Sequence, residues 1–467
     1  MRLTTILWCF CFLMACPDRS ESASGRSAAS PYFRDGFLDT LQRRTFLYFW
    51  EQSDPVRGMT PDRAPTRTFS SVAATGFALT CYPIGAERGY VTRAAAAKRV
   101  RAALKFFHTA PQSSDASKAS GYRGFFYHFL DLETGLRFER TELSTIDTAL
   151  LLAGMLFCQS YFDRRTTEET EIRALADSIY RRIEWNWAMN GGPTLSMGWH
   201  PEDGFIRARW RGYNEAMLLY VLALGSPTHP IPDTAWSAWT DTYIWAPYYG
   251  MPFVSFGPLF GHQYSHCWID FRGIRDEYMR ARQIDYFENS RRAVYSQQAY
   301  AKENPRRFRG YSDSVWGLTA CDGPGSFTLR VDGAKRTFDG YAARGCSFDW
   351  VNDDGTIAPT AAGGSLAFAP EIALPALRAM KARYGERVYR RYGFIDAFNP
   401  TCVKDAPEGW FDHDYLGIDQ GPIVIMIENL RNEFVWKTMK KNPYIIRGLR
   451  RAGFGGGWLD AAKESRH

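Results

Sequence analysis

Two kinds of helical stretch alternate along the chain, and that alternation limits the possible folds more than any other feature. Residues 35–52 (DGFLDTLQRRTFLYFWEQ) set apolar side chains at helical spacing among charges, whereas "TFSSVAATGFALTCYPI" is small and apolar. "VTRAAAAKRVRAALKFFHT" is amphipathic and basic, and "STIDTALLLAGMLFCQSYF" is apolar nearly throughout. The charged "TTEETEIRALADSIYRRIEWNWAM" then precedes an apolar run from Ala216 to Leu224. A helix with one apolar stripe sits at a surface, and a helix apolar on all sides is enclosed by others. About a dozen helices alternating in this way predict two concentric rings, an all-α (α/α)6 toroid. Strand signals are confined to stretches such as "GSFTLRVDGAKRTFDGYAARG", which predicts a small β-hairpin insertion. The rhythm runs on without a linker, so one domain is expected over residues 34–460.

In such a toroid the inner helices run parallel, and their N-terminal ends open on one rim. Helix starts carry unsatisfied N–H groups and partial positive charge, which suit carboxylates and polar ligands. The sequence places polar side chains there. Arg209, Trp210, Tyr213, Asn214 and Glu215 crowd the entrance to the Ala216–Leu224 run. Glu142 precedes the next inner helix, with Asp147 in its first turn and Ser144 as its N-cap. Asp412, Asp414 and Asp419 precede another, with Pro422 suited to its first helical position, and Asp313 in "GYSDSVWGL" reads the same way. Any one of these acids is ordinary helix capping; several on inner helices, accompanied by arginines and aromatics, point further.

Two carboxyl groups across an aromatic cavity are the equipment of glycoside hydrolysis, in which one acid protonates the leaving oxygen and the other, ionised, activates water or attacks the sugar. Glu215, beside a wholly apolar helix, suits the acid; Asp419, among other acids, suits the base. The chain holds 15 Trp, 25 Tyr and 32 Phe, which serve either as flat faces for pyranose rings or as core. Trp268, Trp316 and Trp410 are the candidate sugar contacts, together with His262. His262 and His266 stand one helical turn apart but lack the acid of a zinc-protease motif, so no metal is expected, and "NDDGT" reads as a turn rather than a calcium loop. No phosphate-binding glycine loop and no serine elbow is present, and no cofactor is expected.

The formal net charge is +7, from 57 Lys and Arg against 50 Asp and Glu. The basic residues are scattered, without the stripe of a nucleic-acid binder. Arg2 and the apolar Leu3 to Met14 predict an export signal over residues 1–15. Leu13-Met14-Ala15-Cys16 resembles a bacterial lipobox, which makes Cys16 the lipidated first residue; the alternative is a secretory signal cut near Ala15. Residues 16–33, with "PDRSESASGRSAAS", predict a flexible tether. The expected location is therefore the bacterial cell envelope, periplasmic or at the surface, with membrane contact only through the lipid, and the expected state is a monomer. Six cysteines then remain, Cys81, Cys158, Cys267, Cys321, Cys346 and Cys402, without zinc-type spacing; export permits some to be oxidised, and Cys158 reads as a core thiol.

"YNEAMLLYVLALGSPTHP", "ELSTIDTALLLAG", "FFYHFLDLETG" and "GIDQGPIVIMIENLR" together resemble the bacterial glycoamylase-like domain, which includes glycoside hydrolase family 144, the endo-β-1,2-glucanases. The resemblance runs from about Arg44 to about Gly453. It implies an (α/α)6 barrel, an exported or lipid-anchored enzyme, and inverting hydrolysis of β-1,2-glucan to sophorose and short oligosaccharides. It carries catalytic carboxylates onto Glu215 and Asp419, and also onto Glu142 and Asp147. The family name suggests α-glucan cleavage but is no evidence of substrate, and members differ in linkage or act as exo-enzymes. Two other readings stay open: a polysaccharide lyase, for which Arg207, Arg209 and Arg211 would neutralise a uronate, and a non-catalytic glycan-binding lipoprotein.

Overall fold

The computed structural model describes residue 32 and residues 34–464. The signal over 1–15, Cys16 and all of the 16–33 tether but Tyr32 lie outside the described residues. Along the chain, α1 (Gly36–Gln52) is followed by α2 (Val72–Glu87), α3 (Arg93–Thr109) by α4 (Thr145–Tyr161), and α5 (Thr167–Arg181) by the short α6 (Trp185–Ala188) and α7 (Met217–Gly225). Next come α8 (Thr234–Thr240), α9 (Phe260–Trp268), α10 (Glu277–Arg282), α11 (Tyr286–Glu303), α12 (Pro359–Gly363), α13 (Pro370–Tyr384) and α14 (Gly417–Asn432). Finally, α15 (Phe434–Met439), α16 (Pro443–Arg451) and α17 (Gly457–Glu464) close the chain.

Burial separates these helices into the two kinds the sequence distinguishes. In α3 only the face with Ala96, Ala97, Val100, Ala103, Leu104 and Phe107 is buried. Along α2, α4, α7, α9, α12 and α14 nearly every residue is buried. These enclosed helices touch one another: α2 packs on α4 and α14, α4 on α7, α7 on α9, and α14 on α9 and α12. The one-sided helices lie against them, with α1 on α2 and α14, α3 on α2, α5 on α4, and α13 on α12. The molecule is mostly helical, with small strand pairs between helices. Packing explains the largely apolar composition of the enclosed set: little of these helices meets water, so a polar residue there must find its partner inside the protein, as Gln263 does by donating to the Ala361 carbonyl at 2.8 Å.

Ser71 and Ser144 cap α2 and α4, each side chain accepting from the backbone N–H three residues on. Helix α14 begins at Gly417, earlier than expected, so Asp419 lies in its first turn and Pro422 inside it rather than at its start. Pairing of Arg63 with Leu416 and Ala64 with Tyr415 fixes that early start. The expected hairpin is Phe327–Val331 against Ala334–Phe338. Unexpected is a sheet of five short strands, Gly121–Tyr122, Phe125–Tyr127, Leu143–Ser144, Gly198–His200 and Gly204–Phe205, which leads straight into α4. All six cysteines are buried free thiols, and Cys158 Sγ donates to the Leu79 carbonyl at 3.0 Å. No helix among the described residues is long and apolar enough to cross a membrane.

Candidate active site

The start of α4 carries the first acidic group. The strand leading into the helix presents Glu142, the first turn presents Asp147, and His128 reaches both from a neighbouring loop. His128 Nδ1 lies 2.8 Å from Glu142 Oε1, and its Nε2 lies 3.4 Å from Asp147 Oδ1. Burial works against a charged imidazole, but Asp147 and Glu142 outweigh it and raise the His128 pKa to about 9. The histidinium in turn holds Glu142 below its ordinary range, against burial. Asp147 is pushed up by burial despite His128, and it also accepts a very short bond from the Ser144 hydroxyl.

A second group gathers around the start of α14. Gly417 N–H donates to the Asp62 carbonyl at 2.8 Å, which brings Asp62 and Arg63 to the helix. Arg63 bridges Asp62 at 3.1 Å and Asp322 at 2.7 Å. Asp322 N–H donates to Asp396 Oδ2 at 2.7 Å. Asp396 Oδ1, Asp412 Oδ2 and Asp419 Oδ2 are buried without a hydrogen-bond partner among the described residues. Burial first, then the neighbouring acids, raise Asp396, Asp412 and Asp419 above the usual carboxylate range. Asp419 is relieved in part by a hydrogen bond with Asp396 and by the charge of Arg63. Buried carboxylates left open in this way need protons, a cation or polar ligand hydroxyls. Asp322, Asp396 and Asp412 offer oxygens within 4.8 Å of one another, a spacing compatible with oxygen ligands of a hard cation.

Glu215 joins the two groups. It stands just ahead of α7, half-buried, and among the described residues no cation pairs with its carboxyl. Burial raises its pKa to about 7, with a further push from Asp147. Tyr264, on the enclosed helix α9, feels the charges of both Asp419 and Glu215, as well as Tyr341. Tyr341 in turn has its hydroxyl raised by burial and by Asp419, Asp396 and Asp62, although its ring is exposed. The starts of α4, α7 and α14 thus lie within electrostatic reach of one another, and Tyr264 feels both Glu215 and Asp419. Such an arrangement can hold a carboxyl protonated near neutrality while Glu142, beside His128, carries negative charge.

The structure brings Glu142, Asp147, Glu215 and Asp419 together, as the sequence suggested. It places most expected sugar contacts elsewhere. Arg209 is spent on the Thr194 hydroxyl at 3.0 Å and the Met189 carbonyl at 2.6 Å, so it pins the loop before α7. Trp210 Nε1 donates to Thr145 Oγ1 at 2.9 Å, tying that loop to α4. Tyr213 is buried, with its hydroxyl 3.3 Å from Ser290 Oγ, and Asn214 Oδ1 accepts from Ala216 N–H at 3.0 Å as a turn cap. His262 is buried beneath Tyr213, bonded to the Phe256 carbonyl, and desolvation drags its pKa down to about 4. Trp268 donates to Thr80 Oγ1 inside the core, and Trp316 is wholly buried. Asp313 is exposed and starts no helix; "GYSDSVWGL" is irregular. Trp410 is half-buried on Cys321, Ala358 and Ala397, and Asp414 accepts from Thr66 N–H at 2.8 Å.

Sequence reasoning missed His128, Asp62, Asp322, Asp396, Tyr264 and Tyr341. Asp396 had a signal, a lone acid between Ile395 and Ala397 in the apolar "GFIDAF", where a charged residue is rarely buried without purpose. Tyr264 lies within α9 and the others in loops, and only the fold brings them together.

The glycoamylase family model matches residues 207–443, about half of the chain. The chain belongs to the glycoamylase family. A solved family relative from Bacteroides uniformis is 32% identical, with a TM-score of 0.79, over 91% of this chain and 98% of its own. The endo-β-1,2-glucanase from Chitinophaga pinensis, solved with sophorotriose and glucose, is 28% identical with a TM-score of 0.78, over 90% of this chain and 98% of its own. An exo β-1,2-glucooligosaccharide sophorohydrolase from Parabacteroides distasonis is 27% identical over 93% of this chain. The chain spans 60% of the length of that relative.

Proposed function

We propose that this protein is a glycoside hydrolase that cleaves β-1,2-glucan, endo-acting and inverting, and releases sophorose and short oligosaccharides. The observation that carries the reading is that Glu215 and Asp419 stand at the starts of two enclosed helices and both act on Tyr264, with Glu215 raised to about 7. Glu215 acts as the proton donor, because it is largely desolvated and no cation favours its ionised form. Asp419, sharing its environment with Asp396 and the charge of Arg63, acts as the base that takes a proton from water. His128 holds Glu142 ionised and lies beside Asp147, and both acids can accept from sugar hydroxyls. Family relatives named for β-1,2-glucan and its oligosaccharides support the linkage.

The scaffold reading goes with it: the two sets of helices form a closed (α/α)6 toroid with the acids on one rim. We also read the chain as exported and tethered through a lipid on Cys16, which would keep products near the cell. Cys16→Ser should then shift the protein from the membrane to the soluble fraction, and a native protein already soluble would remove the anchor. The enzymatic reading is tested by incubation with purified glucans of β-1,2, β-1,3, β-1,4 and α-1,4 linkage and chromatography of the products. Sophorose and short oligosaccharides from β-1,2-glucan, released first as the α-anomer, are expected. Inactivity on β-1,2-glucan overturns the linkage, and initial β-anomer overturns inversion.

A further inference from the structure

Of the six large apolar side chains exposed among the described residues, four fall between 341 and 351: Tyr341 at 57%, Phe348 at 59%, Trp350 at 41% and Val351 at 37%. Isolated exposed apolar residues are ordinary, but a cluster marks a binding surface. The segment that carries them is firmly held. Gly345–Cys346 pairs with Val351–Asn352, so Phe348 and Trp350 stand on the tip of a tight hairpin. Beside it, buried Arg344 bonds both oxygens of Asp354 at 2.8 and 2.9 Å and the carbonyls of Cys321 and Asp339 at 2.9 and 3.0 Å. The Ser255 hydroxyl donates to Asp349, and the Trp350 ring covers Gly257 so closely that a Cβ there would meet it at 2.4 Å. The tip is thereby docked on the segment that leads into α9.

From that point a line of rings runs to the acids. Phe256 and Phe260 have centroids 5.7 Å apart, Phe260 and Tyr264 5.5 Å, and the Tyr264 hydroxyl feels the charges of Asp419 and Glu215. Phe256 and Phe260 are themselves only half-buried. Tyr341, at the near end of the same segment, has its hydroxyl beside Asp419, Asp396 and Asp62. The rings that run into α9 and Tyr341 thus lead from the hairpin toward the acids.

We propose that Trp350 and Phe348 are a stacking platform for glucosyl units of the bound glucan remote from the cleaved bond, and that they set the preference for long chains. The proposal rests on the glycan-hydrolase reading above. A pyranose ring offers an apolar C–H face to an aromatic ring and keeps its hydroxyls toward water. A platform fixed in advance by Arg344 and Gly257 loses little freedom when a sugar settles on it. Remote contact of this kind strengthens binding of polymer and leaves short oligosaccharides, which do not reach the tip, with less to gain.

The test is the ratio of kcat/KM on β-1,2-glucan polymer to that on a short β-1,2-gluco-oligosaccharide, for the wild type, Trp350→Ala, Phe348→Ala and Trp350→Phe. The ratio should fall about tenfold in Trp350→Ala, less in Phe348→Ala, and return most of the way in Trp350→Phe, with melting temperatures matched. An unchanged ratio, whether both rates fall together or neither falls, overturns the platform. If the wild type cleaves no β-1,2-glucan, the hydrolase reading fails by itself, and the platform is judged by retardation in gels containing each polymer of the panel. A polymer that retards the wild type but not Trp350→Ala upholds it; equal mobility of the two in every gel overturns it.

Discussion

Glu142 and Glu215 share a side chain and end with opposite proton affinities, because His128 stands beside one and no cation beside the other. That contrast makes the proton donor testable through stability as well as rate. The folded pKa of Glu215 is raised from 4.5 to about 7, so the folded protein holds this proton more tightly than the unfolded chain. Its contribution to stability is therefore largest below the unfolded pKa and is lost as pH rises through the folded one. By linkage the loss amounts to at most about 3 kcal/mol above neutrality. Glu215→Gln should raise the melting temperature at pH 8 and leave it nearly unchanged at pH 5; a variant equally stable at both would mean that Glu215 is not strained by its charge. The same substitution should lower kcat by about 10²–10⁴, as should Asp419→Asn, since proton transfer contributes that much. Wild-type activity falling on the alkaline side near pH 7 would fit deprotonation of the donor. Turnover close to wild type in either variant on the cleaved glucan removes the residue from its role.

Close approach of α2 and α4 depends on two glycines facing each other. A Cβ on Gly154 would lie 2.1 Å from the Gly76 carbonyl oxygen, and one on Gly76 would lie 2.3 Å from the Leu150 carbonyl oxygen. Backbone cannot yield as a side chain can, so Gly154→Ala should destabilise the protein by about 2–4 kcal/mol, measured by chemical denaturation. A cost under half of that would mean the two helices separate easily. Nothing in the sequence shows this crossing, although the helices themselves are plain there: the apolar run of α4 and its Ser144 cap are legible, and so are Glu142 and Asp147 at its start. Strands were legible only where a turn separates two longer runs, as in Phe327–Val331 and Ala334–Phe338; two-residue strands have no periodicity to read. The start of α14 was misplaced because Pro422 favours a first turn, whereas pairing of Ala64 with Tyr415 sets the true one. Half of the candidate site was hidden for a related reason. Asp62 and Asp322 come from loops far apart in sequence and meet only through Arg63. The loop before α7 misled in the other direction, since its arginine, tryptophan and asparagine are polar in order to hold the loop, not a sugar.

Closure near the C-terminus links stability to the site over a long distance. The matched family region ends at residue 443, yet α16 follows at once and buries Tyr444, Ile445, Ile446 and Leu449. It packs on α7, the helix that Glu215 precedes. Their contact is again glycine against backbone: a Cβ on Gly448 would lie 1.9 Å from the Val221 carbonyl oxygen, and one on Gly225 would lie 2.3 Å from the Tyr444 carbonyl oxygen. Because α7 is buried on every side, it cannot move away from α16 without shifting toward the enclosed helices and carrying Glu215 with it. Gly448→Ala should therefore cost about 2–4 kcal/mol and also lower kcat, although it meets α7 at Val221, more than a turn beyond Glu215. Arg447→Ala, an exposed neighbour on the same helix, serves as the control and should change stability by no more than about 0.5 kcal/mol. If Gly448→Ala destabilises the protein while kcat stays at the wild-type value, α7 tolerates the push without moving Glu215, and the donor is positioned by its own loop through Trp210 and Asn214 rather than by the packing of the whole ring.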